Sequence, residues 1–336
     1  MDTHLAMPIK LLSLDDVRAA SPSPQEILRH VRRTYALEAE GQVDVPLKMG
    51  VRPDNAQSFL DAMPAWVGGN SRSLGMKWVS YYPDNGQRGK ADSSGLIVLN
   101  HPDHGHPVCI MEGMLITFMR TAACAAIMAE PLVKKPPRTL GLIGCGGLGR
   151  WALRMFGAVF PTLETVYVSS LSNESRERFC REMNAEGDWK LIPVAEPSQA
   201  VQSADIVITS VPPSSTQPVE PGWLQPDALF IPLDLLNSWH DGVFVEAGLH
   251  VADSPAFLDR LLRGNRPGLP PREIVRFQDL DEKSSPDAHG PTFISVCGIA
   301  SVDVVVGWEI YRRACEAKVG SHFDMKASNA GMSRAA

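Results

Sequence analysis

Two cations lie where a cation is costly. Lys77 sits in "LGMKWVSYYPDN", a strand-like run that flanks it with Met76 and Trp78, and Arg120 interrupts the small, apolar helical stretch "ITFMRTAACAA". A buried ammonium or guanidinium needs a partner. The guanidinium fork matches a carboxylate in two-point contact, so an amino acid or 2-oxo acid would satisfy Arg120. An internal ion pair with Glu112 or Asp61 would satisfy it too, and spacing alone favours that reading. Lys48, in "VPLKMG", is a third cation, although most lysines simply solvate a surface.

A different chemistry is written in "TLGLIGCGGLGRW", Thr139 to Trp151, where Gly144, Gly146 and Gly149 follow an apolar strand and open a helical pattern. The first glycine permits a tight turn, the second lets backbone approach a pyrophosphate, and the third lets helix pack on strand. Amides of the loop, Gly147 and Leu148 included, then point at an anion. Dinucleotide binding is the reading this context supports. Thr209, closing the strand "ADIVITSV", joins the expected cofactor-binding set. The second strand, "TVYVSSLSNESRERF", ends in Ser169 and Ser170, where NAD sites place an acid for the ribose hydroxyls. Ser170, Ser172, Asn173 and Arg176 could donate to a phosphate instead, which favours NADP over NAD, or they could merely solvate a loop.

The elements that must position these groups fall into two textures. From Val45 to Met111, short apolar runs such as "SFLDAMPAWV", "GLIVLN" and "PVCIME" are separated by turn residues, as strands are. "MLITFMRTAACAAIMAEPLV" reads as a helix closed by "KKPPR". After Arg138 strands alternate with helices, the pattern of a parallel sheet with crossovers. "IKLL" and the segment after Ser23 and Pro24 read as strand, turn and helix, while the tail past Lys318 has no apolar periodicity and is expected to be poorly ordered. The fold class is therefore α/β, a Rossmann doubly wound parallel sheet with an α+β domain in front.

Composition narrows the partners. The net charge is −6 over 336 residues with no basic run, which argues against nucleic acid. Six cysteines lie far apart without a CxxC and read as thiols in a reducing compartment. No signal-peptide core opens the chain and no later segment is read as running apolar for about 18 residues, so the expectation is a cytoplasmic protein without a membrane partner. His101, His104 and His106 in "HPDHGHP" sit in a Pro/Gly turn and read as a surface hairpin, with no metal site expected.

Taken in order, "GMKWVSYYPDN", "GLIVLN", "MEGMLITFMRTAA" and "RTLGLIGCGGLGR" resemble the ornithine cyclodeaminase and μ-crystallin family from about Val45 to Arg313. "ISVCGIASVDVVVGWEIY" looks most like its reductases of 2,3-diaminopropionate biosynthesis. The resemblance implies that the front segment and the C-terminal helix, residues 1–120 with 300–320, form a substrate-binding and dimerisation domain, with an NAD(P)-binding Rossmann domain over 121–299 and a tail of 321–336, so a homodimer is expected. It implies an NAD(P)-dependent oxidoreductase acting on the Cα–N bond of an amino acid or its imine. The alternatives it carries are a cyclodeaminase that releases ammonia and recycles its cofactor, and a non-enzymatic ligand binder. By resemblance, Lys77 contacts the substrate carboxylate and reacting centre, and Arg120 binds the carboxylate, which raises that reading above the ion pair. Lys48 stands where the family usually has a second carboxylate-binding arginine. Asp61 falls where ornithine cyclodeaminases place an acid near the distal amine. The general acid/base is assigned to Asp234 in "ALFIPLDLLNSWHDG", with Asn237 and Asp241 as neighbouring candidates, and the glycine and proline pattern missing from that loop argues against ornithine cyclisation.

Overall fold

The computed structural model describes residues 8–53, 58–212, 216–280 and 289–325. In chain order the front elements are β1 (Pro8–Leu12), α1 (Leu14–Ala20), α2 (Pro24–Ala39), β2 (Val43–Asp44), β3 (Met49–Val51), β4 (Phe59–Val67), β5 (Ser73–Tyr81), β6 (Ser93–Asn100) and β7 (Pro107–Glu112). Next come α3 (Met114–Ala129), β8 (Thr139–Ile143), α4 (Gly147–Val159), β9 (Thr165–Ser169), α5 (Asn173–Met183), β10 (Lys190–Val194), α6 (Pro197–Val201) and β11 (Ile206–Thr209). The remainder is β12 (Leu229–Pro232), α7 (Asp241–Glu246), β13 (Leu249–Ala252), α8 (Pro255–Asn265), β14 (Val275–Arg276), β15 (Thr292–Ser295), α9 (Ala300–Glu316) and β16 (Ser321–Asp324). These divide into two compact units, one from the described parts of 1–22, 41–116 and 300–336, the other from those of 23–40 and 117–299.

The first unit is an eight-stranded sheet in the order β16-β1-β7-β6-β5-β4-β2, with β3 also paired to β4. Strands β4 to β7 pair antiparallel. Their alternation puts Met63, Ala65, Lys77, Ile97, Leu99 and Met111 on one buried face. Helix α9 covers that face, and Gly307 lies against it: a Cβ there would rest in ordinary contact, 3.4 Å from Ile97 and 3.6 Å from Leu99. The tail departs from expectation. Residues 321–324 form β16, antiparallel to β1, because an open sheet edge offers backbone hydrogen bonds to a polar strand that has no apolar periodicity of its own.

The second unit is a sheet ordered β10-β9-β8-β11-β12-β15-β13-β14. Its neighbouring strands pair parallel throughout the described residues. Its inner strands read as continuous apolar runs because both faces are covered, and all four residues of β11, β12 and β15 are buried. The chain leaves β8 toward β9 and β10 on one side and resumes at β11 on the other, so the strand order reverses between β8 and β11. Ligands of such sheets bind outside the carboxyl ends at that switch point. Helix α2, assigned by sequence to the front domain, belongs to this unit, where it packs on α4. It starts at a capping box between Ser23 and Glu26 with Pro24 in its first turn.

The helical stretch Met114–Leu132 also corrects a sequence expectation, since it is long and apolar enough by length and composition to cross a membrane. Its apolar residues are spent on burial within the fold: residues 119 to 129 are all buried.

Candidate functional site

In the second unit the glycine loop joins the carboxyl end of β8 to α4. Gly144 has φ +115°, and a Cβ there would lie 2.5 Å from the Ser210 carbonyl oxygen, so no other residue fits without rearrangement. Gly149 packs helix against strand, with a Cβ position 2.2 Å from the Gly144 carbonyl oxygen. Gly147 is exposed but has the Phe118 ring 2.7 Å from its Cβ position, while Leu148 is half-buried in the first turn. Gly146 is different: a Cβ there would meet no described atom within 4 Å. It is exposed and it is the N-cap of α4, where no side chain caps the helix. The first-turn amides therefore have no side-chain cap. Nearby, the buried Ser210 hydroxyl has no hydrogen-bond partner among the described residues. Arg150 braces the loop from behind by donating to the Cys145 and Gly146 carbonyls and to Glu182. An uncapped helix start, a bare approach at Gly146 and an unmet hydroxyl together fit the phosphates of a dinucleotide.

The end of β9 lies beside this loop. Cys145, whose thiol burial pushes up to about 11, donates to the Ser169 carbonyl at 3.9 Å. Ser172 caps α5 by accepting from the Ser175 amide at 3.1 Å. Arg176 folds back to donate to the Ser170 carbonyl and to Asn173. Ser170, Ser172 and Arg176 thus belong to one turn, which carries no carboxylate of its own up to Glu174.

At the carboxyl ends of β11 and β12, Asp234 clasps two loops. One oxygen accepts from the Val211 amide at 3.0 Å and the other from the Ser238 hydroxyl at 2.8 Å. Ser238 shares a 2.6 Å hydrogen bond with Thr209, which is fully buried. Burial raises the Asp234 pKa, opposed by the donors Val211, Ser238, Thr209 and Asn237. Asn237 enters through its backbone, and Asp241 pairs with Arg266 at the start of α7. The Thr209 side chain is committed to this network.

Arg120, 4% exposed, projects from α3 onto the β15–α9 junction. A Cβ on Gly298, φ +76°, would lie 2.6 Å from its Nη1. The same junction is fixed by Asp253, which accepts the Cys297 amide at 2.7 Å and the Gly298 amide at 3.2 Å. The two acids that spacing offered to Arg120 are engaged elsewhere. Asp61 is bound by Arg52, and Glu112 accepts from the Met114 and Leu115 amides that begin α3.

In the first unit Lys77 is 1% exposed and forms a charge pair with Asp303 of α9, at 2.9 Å to Oδ1 and 2.8 Å to Oδ2. Asp61 lies on the same face of the sheet, since its partner Val79 and the pair Met63–Lys77 alternate in phase. Arg52 donates to it at 2.8 Å. Lys48 is half-buried on the stretch between β2 and β3. The three histidines do form a hairpin turn between β6 and β7, with the His101 and His104 rings stacked at 4.0 Å.

The model of the ornithine cyclodeaminase/mu-crystallin family matches residues 10–231. The chain belongs to this family. Among similar proteins, the N-((2S)-2-amino-2-carboxyethyl)-L-glutamate dehydrogenase of Staphylococcus aureus is 33% identical over 229 residues, covering 66% of this chain and 67% of the relative. The nodulation efficiency protein NfeD of Rhizobium meliloti is 26% identical over 321 residues, covering 94% and 98%. The solved Thermococcus litoralis Delta(1)-pyrroline-2-carboxylate reductase, in complex with NADH and L-proline, matches with a TM-score of 0.81 at 22% identity and covers 93% of this chain and 99% of that one. Its likeness establishes the fold.

Within this ornithine cyclodeaminase/mu-crystallin chain, sequence reasoning missed Arg52, Ser210, Ser238, Asp253, Gly298 and Asp303. Asp303 carried the signal that exposed Arg120, a charge inside an apolar helical run, here "SVDVVVGW". The others depend on register and on which loops meet, which spacing does not report.

Proposed function

We propose that the chain is an NAD(P)-dependent oxidoreductase acting on the C–N bond of an amino acid or its imine, as a dehydrogenase or ketimine reductase. The observation that carries this is the α4 start, uncapped and open at Gly146, in a chain of this family. When bound, the nicotinamide gives or takes a hydride at the substrate Cα. The loop amides from Gly146 to Gly149 hold the pyrophosphate, with the Ser210 hydroxyl as a further donor. Ser170, Ser172 and Arg176 favour NADP, because a turn with a guanidinium and no carboxylate before Glu174 suits a phosphate better than ribose hydroxyls.

Arg120 is assigned the substrate carboxylate, its guanidinium held by packing against Gly298. Lys77 is assigned a contact at the reacting centre, and Lys48 a supporting charge. Asp234 is assigned the proton at the substrate nitrogen. Its raised pKa suits a proton carrier, and proton transfer would open its hydrogen bond with Ser238. A second copy of the chain is the proposed partner, covering the outer face of the first unit's sheet, where Trp78 and Leu96 pair across strands at 44% and 47% exposure.

The test is a panel of amino acids, 2-oxo acids with amines, and cyclic imines against both cofactors. A net change in nicotinamide absorbance supports the proposal. Ammonia release without that change would mean a cyclodeaminase, and no turnover at all would favour a binding protein. Arg176→Ala should weaken NADPH about tenfold and leave NADH nearly unchanged.

A further inference from the structure

We infer that the substrate's side chain carries a distal carboxylate and not a distal ammonium. The inference rests on the amino-acid reading of the site and names its substrate class. Asp61 is the group that could have received an ammonium. It lies on the buried face of β4, 7% exposed, diagonal to Lys77 across the β4–β5 pair. That acid is already neutralised. Arg52 Nη1 donates to Asp61 Oδ1 at 2.8 Å and to its neighbour's carbonyl, Val51 O, at 3.1 Å.

The pair is built into the sheet. Gly50 stands opposite Asp61 in register, and a Cβ on it would fall 2.0 Å from Asp61 Oδ1 and 3.0 Å from Arg52 Nη1. Only a residue without a side chain leaves room for the contact. The guanidinium also lies over the Phe59 ring, 5.2 Å from its centroid. Both hydrogen bonds that Arg52 makes among the described residues leave through Nη1. Its Nε–Nη2 edge is the fork that takes a carboxylate in two parallel hydrogen bonds. An ammonium brought to the same place would meet an acid already paired and a cation beside it.

The experiment is calorimetric titration of the full chain with L-glutamate and with L-ornithine, in the presence of saturating NADPH, which cannot accept a hydride and so prevents turnover. Glutamate should bind at least about tenfold more tightly than ornithine. Arg52→Gln should erase or reverse that order, mainly by weakening glutamate. Asp61→Asn, which keeps the cation and removes the acid, should leave glutamate at least as tight and not restore ornithine. Equal or tighter binding of ornithine by the unaltered protein overturns the inference, as does binding of neither compound. Because binding order is read without turnover, a failed activity panel would remove the oxidoreductase reading alone.

Discussion

At Lys77 and Asp303 two opposite charges are buried against each other, and a pair of this kind is far more sensitive to losing one partner than to losing both. Asp303→Asn is therefore expected to cost about 3 kcal/mol in urea unfolding, while the double change Lys77→Met with Asp303→Leu recovers most of it. A loss below about 1 kcal/mol for the single change would show the pair to be weak. His250 gives the opposite kind of sensitivity. Its ring is buried against Phe244, at 4.1 Å, and Phe293, at 5.7 Å, and neither nitrogen has a hydrogen-bond partner among the described residues. Burial, then the nearby Arg272 charge, depress its pKa to about 4. A depressed histidine pKa means that the native state favours the neutral ring, so stability is retained above the ordinary value near 6.5 and lost as pH falls from there through 4. The loss should approach about 3 kcal/mol. In chemical denaturation across pH 7 to 4, His250→Phe should flatten this decline. At this scale the sequence was partly legible. Lys77 and Arg120 stood out as cations among apolar neighbours, but the Lys77 partner lies 226 residues away, and nothing local announces such a meeting.

Elements decide what those residues can reach. The β8–α4 loop contains glycines with two different jobs, and substitution separates them. Gly149→Ala drives a methyl into the Gly144 carbonyl and should destabilise the unit outright. Gly146→Ala meets nothing among the described residues, so melting temperature should stay within about a degree while dinucleotide affinity falls about tenfold or more, because the methyl occupies the approach of the ligand. Unchanged affinity in that variant would remove the loop from cofactor binding. Gly298→Ala tests the other junction: it strains a left-handed position and presses on the Arg120 guanidinium, so kcat/KM should fall by more than stability does. The parallel strands were legible because burial on both faces leaves unbroken apolar runs. The place of β15 between β12 and β13 was not, since order within a sheet depends on crossover geometry. Nor was β16, whose "SHFD" is held through its backbone pairing to β1.

At the scale of the whole molecule, two units are built from interleaved segments, which is why simple cuts in the sequence assigned α2 to the wrong one. The outer face of the first sheet predicts self-association. Trp78→Glu should convert a dimer to a monomer in sedimentation equilibrium, and a monomeric parent protein would contradict that expectation. What the molecule does with its cofactor and substrate is tested most directly by isotope. With the nicotinamide dinucleotide deuterated at C4 and a 2-oxo acid plus amine or a cyclic imine as acceptor, the product should carry one deuterium at Cα in its NMR spectrum. Product formed with only hydrogen at that carbon, under conditions that exclude exchange, would contradict the account.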